Sequence, residues 1–245
     1  MKRLNLIFTI ITVILIICAC HSASTNNEIV NLLKEPNLEL SDQLIKQFFE
    51  YYNSHRFELS LLPPFNSSNQ PDWNQLTLYT YLNFADNKNQ DYDSKISKEE
   101  FRNTINKYFG QMEYIDKKSE YLKYVNETYI CNPGDTMRTV YYRLTSITKD
   151  NYGLYTASFD GLFLEELEAS ELYEFASPNI KAIRDVAGTK EYMQTEQFTD
   201  TLLNIFLKDD YNKILDMTEK ITIQFILTDN DIFPFVYNSC EIISY

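Results

Sequence analysis

Apolar positions at two different spacings divide this chain. Leu44, Ile45, Phe48, Phe49 and Tyr52 recur at helical spacing behind Ser41 and Asp42, an N-cap and a favourable first-turn acid. They predict an amphipathic helix to about His55. A shorter helical pattern over 28–35 precedes it and stops at Pro36. Pro63-Pro64 and the polar stretch over 66–71 predict a loop with extended flanks. Asp72 followed by Gln75 is a start signal for another helix. The run 76–84 fits two periods: Leu76, Leu78, Leu82 and Phe84 alternate as in a strand, while Trp73, Leu76, Tyr79 and Leu82 fit a helix. The start signal decides for helix. After a polar segment over 86–95, Ser97-Lys98-Glu99-Glu100 is a capping box leading into Phe101, Ile105, Tyr108 and Phe109, with Gly110 as the stop.

Beyond Gly110 the period shortens. β-Branched and aromatic residues predict strands over 121–125, 128–131, 138–148 and 154–163, with turn chemistry at 132–135 and 150–153. These strands predict an antiparallel meander with one wet face. Ser177-Pro178 caps a short helix to Ala187, and a better helix spans 195–207 with Phe198, Leu202, Ile205 and Phe206 on one face. Ile221, Ile223, Phe225 and Leu227 then alternate with Thr222, Gln224 and Ile226, and 233–243 returns as a last strand after Asp229-Asn230-Asp231. The expectation is one α+β domain over 28–245, helical to about residue 110 and β-rich beyond, with helices packed on an antiparallel sheet.

The first residues follow another logic. Lys2 and Arg3 precede an apolar run over 4–19 that is shorter than the roughly 20 residues of a spanning helix. Basic and then apolar, this is the layout of a secretory signal. Ile17-Cys18-Ala19-Cys20 resembles a bacterial lipobox. That resemblance implies a lipoprotein signal peptide over 1–19, cleavage before Cys20, a diacylglyceryl group on Cys20 and retention at the outer face of a membrane. Two acyl chains give stable anchoring where one is marginal. Residues 20–27 are small and polar and read as a tether.

Charge narrows the partners. The formal net charge is −13, and loss of Lys2 and Arg3 makes the mature chain more acidic still. Such a chain has no electrostatic case for nucleic acid or an anionic lipid surface. Aromatics at 15% exclude a disordered tail and supply a core. With Cys18 removed and Cys20 lipidated, Cys131 and Cys240 remain as an even pair in an oxidising compartment. Either they form a disulfide, contributing on the order of 4 kcal/mol in the chain-entropy picture, or they are buried free thiols.

Motifs for chemistry are sparse. Five glycines at scattered positions cannot build a phosphate cradle. His21 lies in the tether and His55 at a helix end, a poor basis for a triad. Ser146-Ile147-Thr148-Lys149 has the Ser-x-x-Lys spacing but sits at a strand end, where that motif does not act. Asp160, Glu165 and Glu166 follow a strand and are candidates for a carboxylate pair. The sharpest local signal is 89–100, which resembles an EF-hand calcium loop. By that resemblance Asn89, Asp91 and Asp93 supply the first, third and fifth ligands, Lys95 a carbonyl, Ser97 the ninth position and Glu100 the bidentate twelfth. Asn89 in place of Asp and Ser94 in place of Gly depart from the pattern, and a capping box alone accounts for Ser97 and Glu100. The tyrosines at 79, 81, 121, 124, 129, 141, 142 and 155 suit either cross-strand packing or a sugar- or peptide-binding face.

Three functions follow. The first is a lipid-anchored extracytoplasmic binding or interaction protein without catalysis, its extracellular ligand or protein partner unspecified. The second adds a calcium ion at 89–100. The third is a carboxylate-based hydrolase of cell-wall or environmental polymers.

Overall fold

The structure is a computed structural model that describes residues 28–88, 95–131, 139–164, 196–215, 217–228 and 234–245. The signal peptide, the tether, the cap at Ser177-Pro178 and the loop residues Asn89, Asp91 and Asp93 lie outside them.

Helix α1, Asp42–Ser54, begins as its cap predicts: Ser41 Oγ accepts the Leu44 N–H at 3.2 Å. It stops at His55, whose φ of −116° and ψ of 59° are not helical. A second short helix, α2 (Arg56–Ser60), starts at once and buries Phe57, Glu58 and Leu59. Helix α3, Trp73–Lys88, starts behind Asp72, whose Oδ1 accepts the N–H groups of Asn74 and Gln75. It is buried nearly all round. Tyr79, Tyr81, Thr77 and Thr80 are inaccessible, and Asn83 is 2% exposed. Three of its polar side chains are satisfied within the helix layer. Thr77 and Thr80 donate to the Asn74 and Leu76 carbonyls, and Asn83 donates to Tyr79 O and Phe57 O. A helix enclosed on every side needs no apolar stripe, and hence shows no helical period.

Helix α4, Lys98–Phe109, carries the predicted reciprocal cap and ends at Gly110, whose φ of 67° is the left-handed conformation that favours glycine. Two further helices lie near the end of the chain, α5 (Glu196–Phe206) and α6 (Tyr211–Ile214).

The strands form two antiparallel sheets rather than one continuous meander. The small sheet has order β1-β3-β2, with β1 Lys95–Ser97, β2 Leu122–Val125 and β3 Thr128–Cys131. Asn126 and Glu127, with φ of 50° and 55°, make the tight β2–β3 turn without glycine. The sheet is separate because its apolar side is already occupied. Ile96, Leu122 and Tyr129 are inaccessible, and Tyr129 stacks on Phe101 of α4 at 4.0 Å.

The large sheet is a meander of order β4-β5-β6-β7: Thr139–Lys149, Tyr155–Leu164, Glu219–Leu227 and Phe235–Ser244. It joins the middle of the chain to its end. Tyr142, Gly161 and Glu219 are cross-strand partners. A Cβ at Gly161 would lie 2.7 Å from Glu219 Cγ, so glycine is what lets the Tyr142 hydroxyl reach Glu219 Oε1 at 2.8 Å.

One face of the large sheet carries the main core. Phe159, Ile221, Ile223, Phe225 and Phe235 belong to it, and α1 packs on them through Phe48, Tyr51 and Tyr52. The opposite face is half-buried and polar along Ser158–Thr222 and Gln224–Ser239, which hydrogen-bond to each other. Helices α5 and α6 cover part of that face, where a second cluster holds Tyr141, Leu162, Leu202 and Phe206. Arg143, 8% exposed, ties them down: it donates to Phe206 O and lies 3.9 Å over the Tyr211 ring. The fold is therefore one α+β domain.

Candidate functional site

Three segments far apart in sequence build a cleft at one side of the helical layer. Trp73, the only tryptophan in the chain, is the first residue of α3. Arg102 stands on the exposed side of α4. The segment 111–121 crosses in front of them without regular structure, bringing Met112, Tyr114 and Lys117. This open cleft has a volume of about 720 Å³, with Leu76 and Pro71 adding apolar wall and Glu113 the one acidic lining residue. That volume lies within the range of small-molecule sites, about 300–1,000 Å³.

The crossing segment is pinned at two points. Asp116, its carboxylate 11% exposed, receives Lys98 Nζ at 2.9 Å and Arg102 Nη2 at 3.4 Å, and accepts the Tyr129 hydroxyl at 3.0 Å. The Glu120 N–H donates to Asn74 Oδ1 at the start of α3. A loop without secondary structure is thus held against α3, α4 and the small sheet by charge-assisted bonds.

Aromatic contacts shape the wall. Trp73 and Tyr114 stack with centroids 5.6 Å apart and planes 28° apart, and Phe101 packs edge-on against both. Each ring also carries a cation: Lys117 Nζ lies 6.0 Å from the Trp73 ring and Arg102 Cζ 5.7 Å from the Tyr114 ring. Burial raises the Tyr114 phenol above its ordinary pKa, with Arg102 opposing the shift. The Trp73 indole N–H is shielded from water and has no hydrogen-bond partner among the described residues. An orphaned donor of this kind is uncommon and destabilising, by about 1–3 kcal/mol, unless something fills the role.

The residues singled out by sequence have other places. Lys95 lies on β1 opposite Ile130. Ser97 and Glu100 are spent on each other: Glu100 Oε2 accepts the Ser97 N–H and hydroxyl at 3.2 and 2.8 Å, and Ser97 Oγ accepts the Glu100 N–H. Among the described residues no three His, Cys, Asp or Glu side chains converge as a metal site. Cys131 ends β3, and its side chain is outside the described residues. Cys240 is a free thiol, 3% exposed, and burial pushes it up to about 12, far from the thiolate a nucleophile needs. Asp160 accepts a hydrogen bond from Tyr211, while Glu165 and Glu166 lie outside the described residues. Tyr79 and Tyr81 on α3 and Tyr129, Tyr141, Tyr142 and Tyr155 on strands are core residues, which favours packing over a binding face for them.

His55 is 9% exposed, with its ring stacked on Tyr51 at 4.5 Å. Its Nδ1 lies 3.0 Å from the Tyr51 carbonyl, which can only accept, so Nδ1 is the protonated nitrogen. Beside it, Glu58 is 1% exposed and accepts the hydroxyls of Tyr51 and Tyr237. This polar centre is sealed in the core. Neither His55 nor Glu58 lines the cleft.

Sequence reading took Trp73 as part of a helix start and passed over Arg102, Tyr114 and Lys117. The available signal was composition: a lone Trp near a helix start, and later a Tyr-Ile-Asp-Lys-Lys run with no period of its own. Set against protein-family models, curated proteins and solved structures, the chain matches none.

Proposed function

We propose that this chain is a lipid-anchored extracytoplasmic binding protein that holds a small ligand in the Trp73 cleft and performs no catalysis on it. The observation that carries the reading is the cleft itself: a ligand-sized space beside stacked Trp73 and Tyr114 rings. Mostly apolar lining with a few convergent polar groups is how small-molecule sites are built. Among the described residues the thiol of Cys240 and the imidazole of His55 are buried away from the cleft. The anchor rests on the lipobox at 17–20, and the tether over 20–27 holds the domain off the membrane. Among the described residues no helix is long and apolar enough to cross a membrane.

A single tryptophan makes the test direct. Fluorotryptophan labelling of the full chain in detergent gives one fluorine resonance, from Trp73. Ring-bearing small molecules should shift it saturably, and Tyr114→Ala should weaken the best of them by about tenfold, the worth of one aromatic contact. A resonance that stays fixed against a broad set of such molecules at millimolar concentration would sink the proposal.

The anchor has its own expected result. Cys20→Ala should abolish radiolabelled fatty-acid incorporation and release the chain from the membrane fraction. Continued membrane retention in that variant would overturn the lipoprotein reading.

A further inference from the structure

Accepting the cleft as a ligand site, we infer that its ligand is a planar ring carrying an anionic group, such as an aromatic carboxylate. The first argument is what already occupies the rings. An aromatic wall attracts cations over its faces, yet here Lys117 and Arg102 hold those positions over Trp73 and Tyr114. An ammonium ligand would meet two resident cations. An anion would meet their charge.

The second argument is local charge. The chain is strongly acidic, with a net charge of −13. Against that background the cleft lining holds Arg102 and Lys117 against Glu113 alone. Among the described residues Lys117 forms no ion pair. Arg102 shares Asp116 with Lys98, which is the closer of the two cations, and uses one nitrogen to do so. A guanidinium has five N–H donors, more than the Asp116 contact uses. A carboxylate suits such a fork.

Two cations around a slot between aromatic and apolar residues describe a flat body with a negatively charged edge.

The probes are naphthoate and naphthamide, equal in ring and shape and different in charge. Each is titrated into the full chain and read through the Trp73 fluorine resonance. Naphthoate should bind about five- to tenfold more tightly than naphthamide, and added salt should erode that difference. Lys117→Gln should bring naphthoate down to the level of naphthamide. Lys118→Gln removes the same charge one residue outside the lining and should leave naphthoate affinity in place, separating local from overall charge. Equal affinity for the two probes, or an equal loss in both lysine variants, would overturn the anion inference while leaving the cleft as a binding site. If neither probe moves the resonance while other ring-bearing molecules do, the anion inference fails and the cleft stands; if none of them does, both fall.

Discussion

Phe48→Ala should lower the unfolding free energy by about 3–5 kcal/mol, the range for truncating a fully buried phenylalanine. Phe48 is inaccessible to solvent and sits where α1 meets the large sheet. Its ring lies 5.5 Å from Phe159 on β5 and 6.0 Å from Phe235 on β7, and 6.1 Å from Tyr52 on its own helix. Those neighbours are large and flat, and are themselves fixed. Phe235 packs against Tyr51 and Phe225, and Phe159 against Tyr52. A wall of mutually braced rings cannot collapse into the vacated space, so the cavity persists and the loss lies at the high end of its class. Ile115→Ala provides the contrast. That side chain is 80% exposed, and its removal should change stability by no more than about 0.5 kcal/mol. Urea unfolding measures both, and a shifted midpoint at constant slope is the expected form. A loss below about 1.5 kcal/mol for Phe48→Ala would mean that α1 is not anchored through this ring.

The parts of the fold legible in the sequence are those whose cause is local. Ser41 and Ser97 cap α1 and α4 with bonds inside four residues, and the apolar stripe of each helix follows from having one wet side. β6 alternates because its two faces meet different surroundings, Ile221, Ile223 and Phe225 inward and Thr222 and Gln224 toward the polar side. What the pattern leaves ambiguous has a non-local cause. α3 reads as strand or helix because burial on every side removes the period that separates the two. β1 is three residues with one buried side chain, Ile96, which is too short for any period and lies at the end of a polar stretch. The partition into two sheets depends on β3 finding β1 across α4, and no residue in β2 or β3 encodes that.

The cleft was harder still to read. Its three segments are joined by Asp116 and Asn74, whose partners lie far along the chain. Spacing within a window sees the capping box at Ser97 and Glu100, which the structure shows, and the calcium-like order of Asn89, Asp91 and Asp93. It cannot see that Trp73 and Tyr114 stack. The tyrosine surplus is answered by the core, where hydroxyl groups find partners such as Leu33 O for Tyr155 and Glu219 for Tyr142.

Glu58 should make the stability of this protein fall as pH rises from acid toward neutral. Its carboxylate is enclosed: the Tyr51 hydroxyl lies 2.9 Å from both oxygens, the Tyr237 hydroxyl 2.6 Å from Oε1, and Tyr52 reaches Tyr237 at 3.4 Å. Burial raises its pKa above the ordinary carboxylate value, while nearby His55 and the two tyrosine donors act against the shift without reversing it. The folded state therefore holds this proton to higher pH than the unfolded chain does. Its stabilising contribution is complete below the unfolded pKa and is lost as pH climbs through the folded one. Repulsion among the many surface carboxylates gives a slope of the same sign, so the informative quantity is the difference between wild type and Glu58→Gln. The amide keeps an acceptor for the tyrosines and cannot ionise. The variant should match or exceed wild-type stability near pH 7, and the gap between them should close in acid. Glu58→Ala removes the acceptor as well, leaving the Tyr51 and Tyr237 hydroxyls unpaired beside a cavity, and should cost about 2–4 kcal/mol at every pH. Denaturant unfolding across the acid-to-neutral range decides the matter. Parallel curves for wild type and Glu58→Gln would mean that the carboxyl titrates as a solvated one, and that the tyrosine cage around it opens to water in solution.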